Sequence, residues 1–234
     1  MSAEHSSKQY DLDLEAIRSQ MISMGGLVER QFHDAVHCFR TGDVARSAQV
    51  IKGDVEVNRL EVQLDGICSH LIVRRQPTAN DLRSVMASIK MITDLERVGD
   101  EAVKIARSTK DARERSATSL SHCELVYDIA CRAGDMLHDA LDAFARLDQK
   151  QAAKLIIQDV ALDHEFRSIM RTLITFMMED PRTISNALDT LWVARAIERI
   201  GDHAKNVAEY VIYMVEGKDI RHTDYATAQL DNPG

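Results

Sequence analysis

The string Leu-Glu-Arg-Val-Gly-Asp-Glu-Ala, residues 95–102, returns 102 positions later as Ile-Glu-Arg-Ile-Gly-Asp-His-Ala, residues 197–204. Each copy sets two carboxylates four residues apart, Glu96 with Asp100 and Glu198 with Asp202. On a helix that spacing stacks both acids on one face, where like charges cost about 0.2–0.5 kcal/mol unless something positive lies against them. Gly99 and Gly201 stand between the paired acids, and a glycine inside a helix costs about 1 kcal/mol more than alanine. Both copies carry the same local liability, so something must offset it. A bound cation is one such partner. All-oxygen donors favour hard or borderline ions such as iron, manganese, magnesium, zinc or calcium over thiolate-seeking ones.

More oxygen lies nearby in the sequence. Asp54, Asn58, Glu61 and Asp65 follow a 4-3-4 spacing beside an apolar stripe of Val57, Leu60, Leu64, Ile67 and Leu71. Asp159 and Asp163 take the matching place further on, and Asp34 and Asp139 offer one acid each from the helices before them. If three helices pack together in each half, carboxylates from all three could converge. Such a cluster in a helix groove does not stay ionised without cations. The candidate ligands are therefore Glu96, Asp100, Glu198 and Asp202, with Glu61, Asp65, Asp159 and Asp163 beside them.

Spacing alone is weak support, because Glu124 and Asp128 share it and most such pairs are solvated. The seam matters more. Leu82, Val85, Ile89 and Ile92 form a heptad seam that runs straight into Glu96 and Gly99, then on to Val103 and Ala106. An acid falls where an apolar residue is due. The later seam of Ile184, Ala187, Leu191, Ala194, Glu198 and Gly201 competes with a rival stripe of Ile197, Ile200, Ala204, Val207 and Val211. That rival would put Glu198 at the edge of the buried face. Arg97 and Arg199 are expected in ion pairs with neighbouring acids. His33 and His37, four apart, read as a polar helix face, and His138, His164 and His203 as hydrogen-bond partners.

The elements that position these residues are six helices bounded by turn signals. The first is expected over about 11–40, interrupted by Gly25 and Gly26; Thr41 or Asp43 can cap the second, which runs to about Arg75. Pro77 breaks that helix, and Thr78 with Asp81 resembles a capping box for the third, expected to end near Lys110. A polar stretch at 110–119 is the candidate link. The remaining helices are expected over about 120–146, 148–179 and from Asp180 to Gly217, with Pro181 opening the last. Residues 218–234 read as a tail.

The repeat extends beyond the octet. Asp34-Ala-Val-His-Cys-Phe39 matches Asp139-Ala-Leu-Asp-Ala-Phe144, and Asp54-Val-Glu-Val-Asn58 matches Asp159-Val-Ala-Leu-Asp163, both at an offset of 105. The offset slips to 102 at the octets, as one shortened turn would produce. The sequence thus predicts an all-α fold of two tandem three-helix bundles, 8–112 and 117–217, related by duplication.

Bulk properties narrow the function. A net charge of −8 argues against nucleic acid, which needs a basic footprint. Cys38, Cys68, Cys123 and Cys131 show no Cys-x-x-Cys spacing, so no zinc knuckle or redox motif is present. No secretory leader and no run of about 18 apolar residues appears, which suggests a cytoplasmic protein with reduced thiols. A ferritin-like di-iron carboxylate enzyme is the catalytic alternative, but that site wants Glu-x-x-His from two helices, and the sequence contains none. Neither a phosphate-binding glycine loop nor a nucleophile elbow is found.

The two octets, together with Met24-Gly-Gly-Leu-Val-Glu29, Arg74-Arg-Gln-Pro-Thr-Ala-Asn-Asp-Leu-Arg83 and Thr175-Phe-Met-Met-Glu-Asp-Pro-Arg-Thr-Ile184, resemble the PhoU family over roughly residues 8–222. The resemblance implies two three-helix bundles and multinuclear metal clusters at Glu96 with Asp100 and at Glu198 with Asp202. Glu61, Asp65, Asp159 and Asp163 are the implied co-ligands, and iron, zinc, manganese or magnesium the implied ions. It further implies a homodimer and a non-enzymatic negative regulator of the phosphate-starvation regulon. The implied partners, at the inner face of the membrane, are the phosphate ABC transporter and a PhoR-type sensor histidine kinase.

Overall fold

Single residues set most of the helix ends. In the computed structural model, which describes residues 2–115 and 123–220 and side chains from Tyr10 onward (Asp11 and Ala79 excepted), the first helix α1 spans Ser2–Thr41. Gly42, with φ +70°, turns the chain into α2, Val44–Arg75, where Asp43 accepts a hydrogen bond from the Arg46 amide at 2.9 Å. This is the short acceptor that an otherwise orphaned first-turn N–H requires. Gln76 takes a left-handed conformation and closes α2, and Pro77 keeps it closed. At Thr78 the hydroxyl donates to Asp81 Oδ2 at 2.8 Å, and α3 runs Ala79–Arg115.

The second half repeats the plan. A turn of 3-10 helix, Cys123–Val126, leads into α4, Tyr127–Arg146. Asp148 then accepts from the amides of Lys150 and Gln151 to open α5, Gln149–Glu179. Asp180 caps a second 3-10 turn, Pro181–Thr183, from which α6, Ile184–Glu216, continues to a left-handed Gly217. The first three helices pack together, as do the last three, and the halves join where α3 lies on α6 and α1 on α4. The result is the all-α pair of three-helix bundles that the duplication predicts. Among the described residues no strand occurs.

Three boundaries differ from the sequence expectation. Helix α1 passes unbroken through Gly25 and Gly26, because Gly25 is a place of close approach: a Cβ there would collide with the Leu141 side chain on α4. Helix α3 extends to Arg115, past the expected end at Lys110, and the core of Ala106 and Ala112 continues with it. Pro181 opens a 3-10 turn and not the α-helix itself. The expected link beyond Arg115 lies outside the described residues, as does the tail beyond Ile220. Ile220 itself is buried against the core.

Helices α1 and α4 run antiparallel. Arg18 donates to the backbone carbonyls of Phe144 and Ala145 at one end, His138 meets Glu29 at 2.8 Å in the middle, and Arg40 lies 4.7 Å from the Tyr127 ring centre at the other end. Helices α3 and α6 are also antiparallel: Arg83 sits over Tyr213, Asp94 meets Tyr210, and Glu101 meets Arg199. Two such antiparallel crossings between like helices relate the duplicated halves by an approximate two-fold axis.

Candidate metal site

The acids singled out by sequence gather in two rows, one per half. In the first, burial raises the pKa of Glu61 and of Glu96, and the neighbouring charges raise both further: Asp65 and Asp100 act on Glu61, and Asp100, Glu61 and Asp54 act on Glu96. Arg97 works in the opposite direction on both. Glu61 and Asp65 come from α2, Glu96 and Asp100 from α3. In the second row burial again leads. Glu198 is pushed up to about 7 by burial, with Asp202, Asp163 and Asp159 adding to it against Arg195. Asp202 is raised by burial and by Asp159 and Asp163. These pairs come from α5 and α6, the duplicated counterparts of α2 and α3.

The glycines explain how the helices come so close. Gly99 faces Asp54, Val57 and Gln31, at 3.3–3.4 Å from where a Cβ would sit. Gly201 faces Leu162 and Met136. Val57 and Leu162 are 105 apart, and so are Gln31 and Met136, so the same three-helix contact is built twice. Each glycine lets the acid-bearing helix press onto its neighbour beside the row.

One finding departs from the sequence expectation. Only two helices per half supply acids: Asp34 on α1 is engaged by Arg46 at 2.7 Å, and Asp139 on α4 lines a separate cavity with Arg132, Asp135 and His138. Of the two stripes that compete on α6, the seam that holds Glu198 is buried along with its rival, because α6 is packed by α3, α4 and α5 at once; Glu198 is buried and Glu96 half-buried. The expected ion pair of Arg199 forms with Glu101 at 3.2 Å. His33 and His37 line a cavity beside Arg40 and Tyr127.

A second layer was not read from the sequence. Asp94, buried on α3, accepts hydrogen bonds from three α6 side chains: His203 Nδ1 at 2.7 Å, Asn206 Nδ2 at 3.0 Å and Tyr210 OH at 2.8 Å. Glu101, also buried, takes Lys104 at 2.8 Å beside Arg199. The signal in the sequence is only an acid, Asp94, between Ile92 of the α3 seam and the octet; its partners lie more than 100 residues away. The second octet therefore has two working faces. Glu198 and Asp202 face α5, while Arg199 and His203 reach across to α3.

The donor set fits a hard cation. Glu198 Oε2 and Asp65 Oδ1 are buried with no hydrogen-bond partner, one in each row, and a buried carboxylate oxygen left bare calls for a cation or a proton. The rows are not equivalent, however. In the second, Lys205 donates to Asp159 at 2.7 Å and Arg195 to Glu198 at 2.6 Å. In the first, Val103 and Thr93 stand at the matching positions. Among the described residues no three His, Cys, Asp or Glu side chains are already arranged to hold one metal ion, so a bound ion would draw the acids inward.

The comparisons with known proteins bear on the whole chain. The sequence profile described as "PhoU domain" matches residues 21–109 and again 126–211. The chain belongs to the PhoU family. A relative from Pseudomonas putida, named a phosphate-specific transport system accessory protein PhoU homolog, is 44% identical over 218 residues, covering 93% of this chain and 85% of its own. The Escherichia coli (strain K12) protein named phosphate-specific transport system accessory protein PhoU is 43% identical over 222 residues, with 94% and 90% covered. The crystal structure of PhoU from Pseudomonas aeruginosa superposes with a TM-score of 0.86 at 42% identity, covering 89% of this chain and all of that one. The PhoU structure from Streptococcus pneumoniae, at 24% identity and a TM-score of 0.82, shares the fold. These relatives carry names of accessory and regulatory proteins. Among the described residues no helix is long and apolar enough to cross a membrane.

Proposed function

We propose that this chain is a cytoplasmic adaptor that represses the phosphate-starvation regulon when phosphate is plentiful and restrains phosphate uptake. It acts without chemistry of its own, as a homodimer, between the phosphate ABC transporter at the inner membrane face and a PhoR-type sensor histidine kinase. The observation that carries this reading is the near full-length match, at 43–44% identity, to proteins named as accessories of a phosphate-specific transport system. The test is expression in a bacterium lacking its own PhoU protein and carrying a phosphate-starvation reporter. Low reporter output in phosphate-rich medium supports the proposal; output as high as in the empty strain, with the chain accumulating in folded form, refutes it.

We also propose that each carboxylate row binds iron, zinc, manganese or magnesium, Glu96, Asp100, Glu61 and Asp65 in the first half and Glu198, Asp202, Asp159 and Asp163 in the second. The bare oxygens of Asp65 and Glu198 support it. Elemental analysis of protein purified without chelator tests it, against a variant carrying Glu96→Ala, Asp100→Ala, Glu198→Ala and Asp202→Ala. Metal in the parent and little in a still-helical variant is the expected result. Metal in neither would leave the adaptor reading standing without its cofactor.

A further inference from the structure

The crossing of α1 and α4 holds two histidines at matching places in the duplication, and only one of them is satisfied. His138 on α4 meets Glu29 of α1 at 2.8 Å. Its counterpart 105 positions earlier is His33, and the counterpart of Glu29 is Gly134. Where His138 finds a carboxylate, His33 therefore finds bare helix: a Cβ on Gly134 would sit 3.6 Å from His33 Cε1 and 3.9 Å from its Nε2. His70 and His203 are also engaged, by the Gly66 carbonyl at 2.8 Å and by Asp94 at 2.7 Å. Among the described residues, neither ring nitrogen of His33 has a hydrogen-bond or ion-pair partner.

Two further donors share the cavity that His33 lines. His37, one turn on along α1, and Cys131 of α4 border the same space of about 280 Å3, whose apolar walls are Phe32, Val36 and Ala130. His33 and His37 are four apart, the spacing at which two histidines on one helix face chelate a divalent ion. Cys131 stands three residues before Gly134 and so shares the α4 face on which His33 rests. It is a free thiol, exposed where Cys38 and Cys68 are buried. At one end of the cavity Arg40 lies 4.7 Å from the Tyr127 ring centre, and the aromatic face takes up its charge. The positions matching Cys131 and His37 are Gly26 and Asp142. The other end of the crossing thus lacks both the thiol and the second imidazole, and the set occurs once per chain.

Donor chemistry selects the ligand. Two neutral imidazoles and a thiolate suit a borderline divalent ion such as zinc, cobalt or nickel, with a fourth position left for water, whereas all-oxygen rows prefer harder ions. In the conformation observed the three donors are not yet gathered round one point. Each is exposed or half-buried and has no side-chain partner among the described residues, so turning it inward breaks no hydrogen bond. We infer that His33, His37 and Cys131 bind one zinc-class divalent ion in the groove between α1 and α4. The site is separate from both carboxylate rows, which lie on α2 with α3 and on α5 with α6. Since α1 and α4 belong to different halves, an ion there bridges the two halves of the chain.

Co2+ is the probe, titrated into the full-length, metal-free, reduced protein, because a thiolate bound to cobalt absorbs in the near ultraviolet and carboxylate-bound cobalt does not. The expected result is a charge-transfer band with the intensity of one thiolate per chain, bleached when Zn2+ displaces the cobalt. Cys131→Ser should abolish the band, and Cys123→Ser should leave it. His33→Gln and His37→Gln should each raise the Co2+ concentration at half-saturation at least about tenfold, since even the loss of an outer partner of a metal ligand costs that much. None of these side chains is buried, so the variants are expected to fold, and circular dichroism checks it. The variant with Glu96→Ala, Asp100→Ala, Glu198→Ala and Asp202→Ala should keep the band, so this site and the carboxylate rows stand or fall separately. No thiolate band in the parent, a band that survives Cys131→Ser, or unchanged half-saturation in both histidine variants each overturns the inference. So does a band of half intensity that saturates at one ion per two chains, which would place the ion between molecules.

Discussion

Gly99 and Gly201 occupy matching places in the duplicated fold but meet different neighbours, and this sets up opposite outcomes for the same substitution. Replacing a helical glycine by alanine gains about 1 kcal/mol of backbone preference. At Gly99 the new methyl would lie 3.3 Å from Val57 Cγ1 and Asp54 Oδ1 and 3.4 Å from Gln31 Oε1. These contacts are tight but do not overlap, so Gly99→Ala should be neutral to about 1 kcal/mol more stable. At Gly201 the methyl would overlap Leu162, whose side chain is fully buried with Met136 behind it. Overpacking a buried leucine costs about 1–3 kcal/mol, which exceeds the helix gain, so Gly201→Ala should be about 0–2 kcal/mol less stable than the parent.

Urea unfolding followed by circular dichroism, in chelator so that metal does not contribute, measures both variants. In thermal unfolding the difference should appear as several degrees, since about 1 kcal/mol moves the midpoint of a chain this size by about 2–4 °C. Combining Gly201→Ala with Leu162→Val should recover most of the loss, because the overlapping methyl is then absent and the pair is coupled. If Gly201→Ala is as stable as Gly99→Ala, the glycine is not there for the approach of α5, and the packing account of the octet is wrong.

Further outcomes follow from the same geometry. Asp94→Ala removes the shared acceptor of His203, Asn206 and Tyr210 between the halves; a buried charge-assisted cluster that loses its centre should cost about 3 kcal/mol in urea unfolding, and a loss under about 1 kcal/mol would show that the cluster is solvated. Glu198, buried and pushed up to about 7 from an unfolded value near 4.5, binds a proton in the folded chain that the unfolded chain releases. Its contribution therefore favours folding below about pH 4.5 and declines as pH rises to about 7, by at most about 3 kcal/mol. The burial-driven rise at Asp202, Glu96 and Glu61 has the same sign. Glu198→Gln should flatten the decline of thermal stability between pH 5 and 7.5 in chelator, and an unchanged slope would refute the assignment. Asp148→Ala unpairs the Lys150 and Gln151 amides that open α5 and should cost about 1 kcal/mol, whereas no measurable loss would mean water caps that end equally well.

What the sequence made legible was local or periodic. Asp43, Asp180 and Gly217 bound helices through chemistry confined to a turn, so each is read without the fold. The acid rows were legible because four-residue spacing fixes a helix face whatever lies opposite. What stayed hidden depended on a partner distant in sequence. Gly25 and Gly26 looked like a break in α1 because glycine weakens an isolated helix, but Leu141 on α4 needs that space and packing outweighs the propensity cost. Whether Glu198 lies in the seam or at its edge stays open in the sequence, because one helix is weighed against one face, while α6 is covered by three neighbours. Asp94 carries no signal for the same reason: its three donors lie 109 to 116 residues away.

The duplication also leaves the two rows unequal in a way that bears on cation binding. In the second row Lys205 is held against Asp159; burial works against its ammonium, but the hydrogen bond and charge of Asp159, with Glu209 and Asp202, outweigh this and raise its affinity for the proton. Arg195 engages Glu198, and Arg167 engages Asp163 at 3.2 Å. The second row thus carries much of its own counter-charge. The first has Val103 where Lys205 would be and Thr93 where Arg195 would be, so Arg97 alone opposes its acids in both Glu61 and Glu96. A divalent cation entering the first row meets more uncompensated charge and displaces no ammonium, so the first half should bind it more tightly. Titrating Mn2+ into metal-free protein should show two classes of site, the tighter one lost in Glu96→Ala with Asp100→Ala. Lys205→Gln should tighten the weaker class, since a competitor for Asp159 is gone. If the tighter class disappears with Glu198→Ala and Asp202→Ala instead, burial of the acids and not their net charge governs affinity, and the internal cations of the second row are merely structural.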